Sequence, residues 1–337
     1  MLNFHKEHKN LVLTAGTVFV ALSIMVSILP AFHMQETEPI PDQKPLTAAE
    51  EKGLGIYVAE NCMACHTQQV RNIEMDNMWG NRPSIPSDYY FSKKRMDVWR
   101  QSPSLLGSER TGPDLTDIGR RQPSKDWHLL HLYNPRAVVS ESVMPSYPWL
   151  FQEKDSILIG KDEKTIAVPK EIFNKPGKKI VATEDAMLLV EYLKSLQQME
   201  LPGSDINDFI PALRKIQTEG MTADGKPGAP NGAALYKQVC AACHQDNGKG
   251  IAGAFPPLAG SSVVTKEDPE LLIRIVLQGY NARPDYGAMP PFGDQLTDAE
   301  IAAIATHERS SWGNNAPEVT EEEVAKIREY VLNELNP

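Results

Sequence analysis

Four cysteines and two histidines form two short motifs of the same pattern. Residues 62–66 read CMACH and residues 240–244 read CAACH, and the chain has 4 cysteines in all. In a C-x-x-C-H motif, two thiols one helical turn apart can form thioethers with a porphyrin, and the adjacent histidine can bind its iron. The motifs therefore predict two covalently bound haem c groups. The attaching residues would be Cys62, Cys65, Cys240 and Cys243, and the iron ligands His66 and His244.

The cysteine pairs could instead form disulfides, act as redox dithiols or share one zinc ion. A zinc ribbon of two C-x-x-C pairs spaces them roughly 15 to 20 residues apart. Here the second pair follows the first by more than half of the chain. Disulfides and dithiols give no role to the histidine after each pair. Haem attachment is therefore the interpretation that uses every residue of both motifs.

A low-spin haem that transfers electrons needs a second iron ligand, and a methionine thioether raises its potential. Met144 and Met289 are each followed by proline, and they lie at matched distances after proline segments at Pro113 and Pro257. This spacing predicts Met144 as ligand of the first iron and Met289 as ligand of the second. Because proline has no amide hydrogen, we also expect each segment to turn a carbonyl towards the ligating histidine.

Other side chains could compete for the irons, because methionines commonly fill hydrophobic cores and the chain has 12 of them. The rivals are Met75, Met78 and Met96 for the first haem and Met221 for the second. His128 and His131 lie on a predicted helix, where we expect exposed positions and no iron. For His307 we expect a structural role.

The two motifs belong to two copies of one module. Each copy runs from its C-x-x-C-H motif through a proline segment to a Met-Pro pair. Such a repeat predicts two domains of the same fold. The first copy carries one insertion before Pro113 and another around residues 151–180.

The elements that would position these residues are helices. Capping boxes begin at Thr47, Thr297 and Thr320, and leucines at helical spacing predict a helix over residues 184–198. We find no alternating pattern that predicts a strand. The sequence therefore predicts a mainly α protein with one N-terminal transmembrane helix and two cytochrome c-type haem domains, in which the porphyrin supplies much of the core.

The domain boundaries follow from composition. A connecting helix with apolar residues over 206–216 precedes a glycine- and proline-rich linker over 223–232. The predicted units are the tail and transmembrane helix (1–30), an extended spacer (31–46), the first cytochrome c domain with two insertions (47–200), the connecting helix and linker (201–232), and the second cytochrome c domain (233–337).

Residues 11–29 contain no charged side chain. As a helix they cover ~28 Å, close to the hydrocarbon thickness of a bilayer. A cleaved signal peptide has a shorter apolar core and a small-residue cleavage site, for which residues 29–32 (LPAF) are poorly suited. We therefore expect a retained single-pass anchor. Lys6 and Lys9 precede it and acidic residues follow it, which predicts a cytoplasmic N-terminus and periplasmic haem domains at a bacterial inner membrane.

The net charge and its distribution along the chain indicate which kinds of partner the protein could bind. The chain has 34 basic and 44 acidic residues and a net charge of -10, which argues against nucleic-acid binding. From residue 216 onward, 17 acidic residues face 9 basic ones. This acidity could serve solvation alone, or it could steer a basic electron carrier.

Longer strings in the first module resemble the mono-haem subunit II of cbb3-type haem-copper cytochrome c oxidases. They are residues 110–115 (RTGPDL), 134–139 (NPRAVV) and 144–150 (MPSYPWL), within a similarity over residues 1 to about 198. The remainder is similar to a small class I cytochrome c at residues 253–260 and 289–292. The resemblance implies that Cys62, Cys65, His66 and Met144 hold the first haem and that Arg136 contacts a haem propionate.

Together with the second haem motif, the resemblance implies a membrane-anchored dihaem subunit that relays electrons. One membrane span with six histidines outside the two motifs is too little to build a haem-copper centre, so we expect the chain not to be catalytic itself. Its partners would be a separate haem-copper catalytic subunit, further cytochrome subunits, and a soluble or membrane-bound electron donor. The fusion of the two modules motivates a further hypothesis, in which electrons pass from the donor to the second haem, then to the first haem and the catalytic subunit.

Two alternatives stay open. One is the electron-transfer subunit of a nitric oxide reductase, against which residues 134–150 favour the oxidase. The other is a dihaem cytochrome c peroxidase, which would need one iron with an open position, whereas the sequence offers two Met-Pro ligands.

Overall fold

The computed structural model describes residues 4–76, 78–91, 107, 109–201, 219–221, 227–282 and 286–335. Over these residues the protein is mainly helical. An N-terminal apolar helix is followed by two helical domains, as the sequence predicts. The α-helices are His8–Ser23, Leu29–Gln35, Ala48–Ala59, Ile118–Arg121, Lys125–Tyr133, Glu184–Ser195, Gly232–Val239, Ala241–His244, Glu270–Gln278, Asp298–Ser310 and Glu321–Leu335.

The N-terminal helix is longer than the predicted span. His8–Ser23 continues through a π-helical turn at Ile24–Ile28 into Leu29–Gln35. The helix His8–His33 is 26 residues long, its most apolar 18-residue window has a mean hydropathy of 2.3, and none of that window is buried in the protein. A helix that is apolar on all sides and leaves those sides uncovered is suited to contact with lipid.

The first domain is held together by its first and last helices. Ala48–Ala59 crosses Glu184–Ser195 so closely that a Cβ atom on Gly53 would lie 2.1 Å from the carbonyl oxygen of Leu188. One turn later, the rings of Tyr57 and Tyr192 pack at 5.4 Å. Both tyrosines are fully buried in the main hydrophobic core of this domain.

The second domain repeats this crossing. A Cβ atom on Gly232 would lie 2.0 Å from the carbonyl oxygen of Ala303, in the helix Asp298–Ser310. Tyr236, four residues after Gly232, packs against the rings of His307 and Trp312. The same glycine-to-tyrosine spacing at Gly53 and Gly232 is an additional sign of the internal repeat.

The mainly helical fold also contains a small sheet, which no alternating pattern in the sequence predicts. Phe151–Asp155, Thr165–Ile166 and Lys178–Ala182 form an antiparallel sheet with Lys178–Ala182 in the centre, and Phe151 pairs with Ala182. The sheet occupies the second insertion. Its strands are at most five residues long, so too few apolar positions alternate to give a recognisable pattern.

Part of the predicted linker also forms a β-strand. Pro227–Pro230 forms an antiparallel ladder with Glu219–Met221. The helix predicted over residues 206–216 lies outside the described residues.

The predicted helix starts are confirmed. Thr47 Oγ1 accepts the amide of Glu50 at 3.3 Å, while the Glu50 carboxylate accepts the amide of Thr47 at 2.7 Å. Thr297 and Thr320 form the same reciprocal bonds. The helix predicted over residues 184–198 ends at Ser195.

Candidate haem sites

The first motif begins where the helix Ala48–Ala59 ends. Asn61 takes a left-handed conformation (φ 55°), and the 3-10 turn Cys62–Ala64 follows it. The amide of His66 donates to the carbonyl of Cys62 at 3.0 Å. This turn brings Cys62, Cys65 and His66 to the lining of one cavity of about 750 Å³, a volume in the usual range for a bound small molecule or cofactor.

His66 is oriented by a backbone carbonyl, as predicted. Its Nδ1 lies 2.7 Å from the carbonyl oxygen of Pro113, to which it donates. The ring rests on Gly112, where a Cβ atom would lie 2.4 Å from His66 Cε1. Burial lowers the pKa of His66. The neutral imidazole that results leaves Nε2 as a free metal ligand.

A polar network joins the first motif to its proline segment. Thr67 Oγ1 donates to Asp114 Oδ2 at 2.6 Å, and the amide of Gln69 donates to the same oxygen at 2.8 Å. Arg110 Nε donates to Thr67 Oγ1 at 2.8 Å. These bonds hold Pro113 against His66 despite the insertion between them.

The second motif has the same geometry. The helix Gly232–Val239 leads into Cys240, and the amide of His244 donates to the Cys240 carbonyl at 3.0 Å. Cys240, Cys243 and His244 line a cavity of about 710 Å³. His244 Nδ1 lies 2.9 Å from the carbonyl oxygen of Pro256. The alignment of Pro113 with Pro257 is therefore wrong by one residue, because Pro256 occupies the equivalent position.

The predicted methionines lie at the two cavities. Met144 lines the first and Met289 lines the second. Met289 exchanges two backbone hydrogen bonds of 2.9 Å with Tyr280, which fix the segment that carries it. Among the rivals, Met78 also lines the first cavity, with 59% of its surface exposed. Met75 is 70% exposed, and Met96 and the side chain of Met221 lie outside the described residues.

Arg136 lies beside the methionine segment of the first site. It is exposed, and its Nη1 donates to the carbonyls of Ser142 at 2.9 Å and Met144 at 3.3 Å. Arg120 and Arg121, which sequence reasoning missed, line the cavity itself. Arg121 Nε is buried without a hydrogen-bond partner among the described residues, so the lining fits a group that carries carboxylates.

The expectation that His128 and His131 are exposed is wrong. His128 is only 3% exposed and its Nε2 donates to the Gln122 carbonyl at 2.8 Å. His131 lines the first cavity and stacks on Trp127, with ring centroids 4.6 Å apart and planes 9° apart. Burial lowers the pKa of His128 to about 4 and that of His131 to about 3, so both are neutral at pH 7. Helical periodicity alone did not show that other segments cover the helix Lys125–Tyr133 on two sides.

Burial favours the neutral thiol at three of the four cysteines. Burial raises the pKa of Cys62 and of Cys243 to about 12, and that of Cys240 also rises. Within the described residues, no group of three or more histidine, cysteine or acidic side chains is arranged to hold a metal ion directly. The donor set therefore fits covalent attachment of a porphyrin better than a protein-bound zinc.

Comparison with protein families gives two matches. The model described as cytochrome c oxidase, mono-heme subunit/FixO, matches residues 4–204. The model described as cytochrome c oxidase, cbb3-type, subunit III, matches residues 227–307. One match covers the first helical domain and the other covers most of the second, so both are cytochrome c-type domains, and such domains bind haem c covalently.

Curated relatives are cytochromes or cytochrome subunits. The cytochrome c subunit of the quinone alcohol dehydrogenase of Gluconacetobacter polyoxogenes is 36% identical over 152 residues, which are 43% of this chain and 31% of that protein. The fructose dehydrogenase cytochrome subunit of Gluconobacter japonicus is 32% identical over 158 residues, 43% of this chain and 32% of that protein. Cytochrome c-552 of Thermus thermophilus is 43% identical over 113 residues, 29% of this chain and 84% of that protein. The chain thus spans about a third of the length of the two dehydrogenase subunits.

Proposed function

Since the chain belongs to the mono-heme subunit (FixO) family of cytochrome c oxidases, we propose that it is the dihaem electron-transfer subunit of a cbb3-type terminal oxidase. As a membrane-anchored cytochrome c subunit of an oxidoreductase complex, it works with a catalytic partner subunit. In the proposal that partner is a haem-copper subunit. The haem domains lie on the periplasmic side of a bacterial inner membrane, and the N-terminus is cytoplasmic.

Each domain is proposed to hold one haem c. Cys62 and Cys65 attach the first and Cys240 and Cys243 the second. The iron ligands are His66 with Met144, and His244 with Met289. The observation that carries this assignment is that a C-x-x-C-H motif, a carbonyl-oriented imidazole and a methionine meet at both cavities. Bound haem would supply reversible one-electron oxidation and reduction.

The chain's own residues orient this chemistry. The carbonyls of Pro113 and Pro256 hold the two imidazoles as neutral ligands. In the first site, Arg121 lines the cavity and is proposed to contact a haem propionate. Arg136, which donates to the carbonyls of Ser142 and Met144, is proposed to contact a propionate as well. Both guanidiniums can pair with carboxylates.

Electrons are proposed to enter at the second haem and leave through the first. The first domain carries the family match to the oxidase subunit and follows the membrane anchor directly. The second domain, in which acidic residues outnumber basic ones, is the part suited to a basic donor.

Isolation of the intact complex in mild detergent tests the proposal. We expect two haem c per chain by pyridine haemochrome assay, two low-spin spectra, and a copurifying haem-copper subunit that consumes oxygen. Copurification with a nitric oxide reductase or with a quinone-linked dehydrogenase would replace the oxidase assignment. A high-spin haem with peroxide turnover would instead indicate a peroxidase.

The order of electron transfer needs a separate experiment. Replacing both Cys240 and Cys243 by alanine in the full complex removes attachment of the second haem. Oxidation of a soluble protein donor should then slow, while a small artificial reductant still drives oxygen uptake through the first haem. If the variant instead lost oxygen uptake with the artificial reductant and still oxidised the protein donor at the wild-type rate, the order would be reversed.

A further inference from the structure

The two cavities are adjacent. Gln122 and Val239 line both of them. The first cavity is also lined by Lys237, Gln238 and Ala242 of the second domain. The segment that carries the second C-x-x-C-H motif therefore forms part of the first site.

Trp127 lies at this junction and contacts both sides. Its ring stacks on His131, and both residues line the first cavity. Its indole Nε1 donates to the carbonyl of Ala242 at 3.1 Å. Ala242 lies between Cys240 and Cys243, and both Trp127 and Cys243 pack against the apolar cluster that contains Phe255. A single side chain thus links the first cavity to the backbone of the second haem motif.

Asp126 fixes this contact. Its Oδ2 accepts the amide of Ala288 at 2.8 Å, one residue before Met289, and its Oδ1 pairs with Lys164 Nζ at 2.5 Å. Asp126 is only 7% exposed. A buried, doubly paired carboxylate is costly to displace. The helix Lys125–Tyr133 is therefore held against both the motif and the methionine segment of the second domain.

We propose that Trp127 is the bridge through which electrons pass between the two haem sites. The step rests on the proposed function, in which each site holds one haem. One electron leaves the ferrous haem attached at Cys240 and Cys243, which becomes ferric, and it reduces the ferric haem attached at Cys62 and Cys65. No bond forms or breaks, and Trp127 itself is neither oxidised nor reduced.

The geometry explains why this residue serves as the bridge. Electronic coupling through a protein weakens least along covalent and hydrogen bonds and most across gaps. From Cys243 the path follows the backbone to the Ala242 carbonyl, crosses one hydrogen bond to the indole, and continues through the stacked rings of Trp127 and His131 to the first cavity.

Flash reduction of the purified full-length protein tests the bridge. After a photosensitiser reduces one haem, the redistribution of the electron between the two is followed in the α-band region. Trp127→Phe keeps an aromatic ring but loses the hydrogen bond to Ala242, so electron redistribution should slow several-fold. In Trp127→Leu it should slow further. Because Trp127 lines the first cavity, haem content and both midpoint potentials are measured in each variant, and rates are compared at equal driving force.

Trp149→Phe is the matched control, because Trp149 is 60% exposed and lies elsewhere on the same domain. Should Trp127→Leu lose a haem, His131→Leu takes its place alongside Trp127→Phe. It removes the stack on Trp127 and leaves the indole hydrogen bond to Ala242 in place. Wild-type redistribution rates in Trp127→Phe and His131→Leu, with both haems and potentials intact, would overturn the bridge and leave the dihaem assignment standing. A wild-type protein with one haem per chain would instead overturn the proposed function.

Discussion

At the scale of single residues, the two proposed histidine ligands share one orienting device. A carbonyl oxygen can only accept, so each Nδ1 must carry the hydrogen that it donates to Pro113 or Pro256. This fixes one tautomer and leaves Nε2 for the iron. Neither imidazole contacts a carboxylate through this bond, although at the first site the Asp114 carboxylate holds the segment that carries Pro113.

Removal of either methionine should lower the potential of its own haem. Met144→Ala and Met289→Ala each delete a thioether that favours ferrous iron. We expect a fall that is a sizeable part of the ~0.8 V range set by axial ligands, measured by spectroelectrochemical titration. Met78→Leu is the control at the first cavity, because Met78 also lines it. If the potential of the first haem fell in Met78→Leu and not in Met144→Ala, Met78 would be the iron ligand in place of Met144.

Glu308 should make the stability of the second domain depend on pH. It is 4% exposed at the second cavity, and burial raises its pKa from 4.5 to about 8. Between those values the folded protein keeps a proton that the unfolded chain releases, so stability falls as pH rises from 4.5 to about 8 and then levels.

Glu308→Gln should abolish that slope and stabilise the domain on the order of 3 kcal/mol at pH 7. The measurement is the thermal unfolding midpoint of the full chain as a function of pH. Glu322→Gln, at an exposed position, should leave the slope unchanged. Parallel curves for wild type and Glu308→Gln would contradict the prediction.

At the scale of elements, the crossing at Gly53 should tolerate no side chain. In Gly53→Ala, the new Cβ would meet the backbone oxygen of Leu188 at 2.1 Å, and the helices Ala48–Ala59 and Glu184–Ser195 would have to separate. We expect destabilisation of ~2 kcal/mol or more, measured by chemical denaturation.

Gly55 provides the control for this crossing within the same helix. A Cβ atom there meets nothing within 4 Å. Gly55→Ala should therefore stabilise the helix by about 0.5–1 kcal/mol. Equal effects of the two substitutions would show that helix propensity, and not the crossing, determines the result.

Locally encoded features were predictable from the sequence, and features that depend on distant partners were not. The capping box at Thr47 and the motif turn at residues 62–66 are set by neighbours within a few positions, so type and spacing sufficed. Burial of His128 depends on segments far along the chain. The sheet strand Lys178–Ala182 pairs with two segments that carry too few residues to show a pattern.

At the scale of the whole molecule, the acidity of the second domain should govern reduction by a basic soluble cytochrome. Raising the ionic strength from about 0.01 M to 0.15 M shortens the Debye length from about 30 Å to 8 Å. The second-order rate constant, measured by stopped flow, should therefore fall steeply.

An anionic reductant should show the opposite salt dependence. A rate that does not change with salt for the basic donor would mean that the acidic surface serves solvation alone.

The contact between domains was the part of the site furthest from prediction. The sequence located both haem motifs, yet nothing in it indicates that Trp127 donates to Ala242 or that Asp126 accepts from Ala288. Each bond joins residues more than a hundred positions apart. Their proximity results from the packing of two domains, which periodicity within either one does not report.

Lys237, Val239 and Ala242 line the first cavity. These residues are synthesised long after Cys62 and Cys65 have left the ribosome. N-terminal domains generally fold first during synthesis. We therefore expect one side of the pocket at Cys62 and Cys65 to stay open until residues 237–242 have been translated.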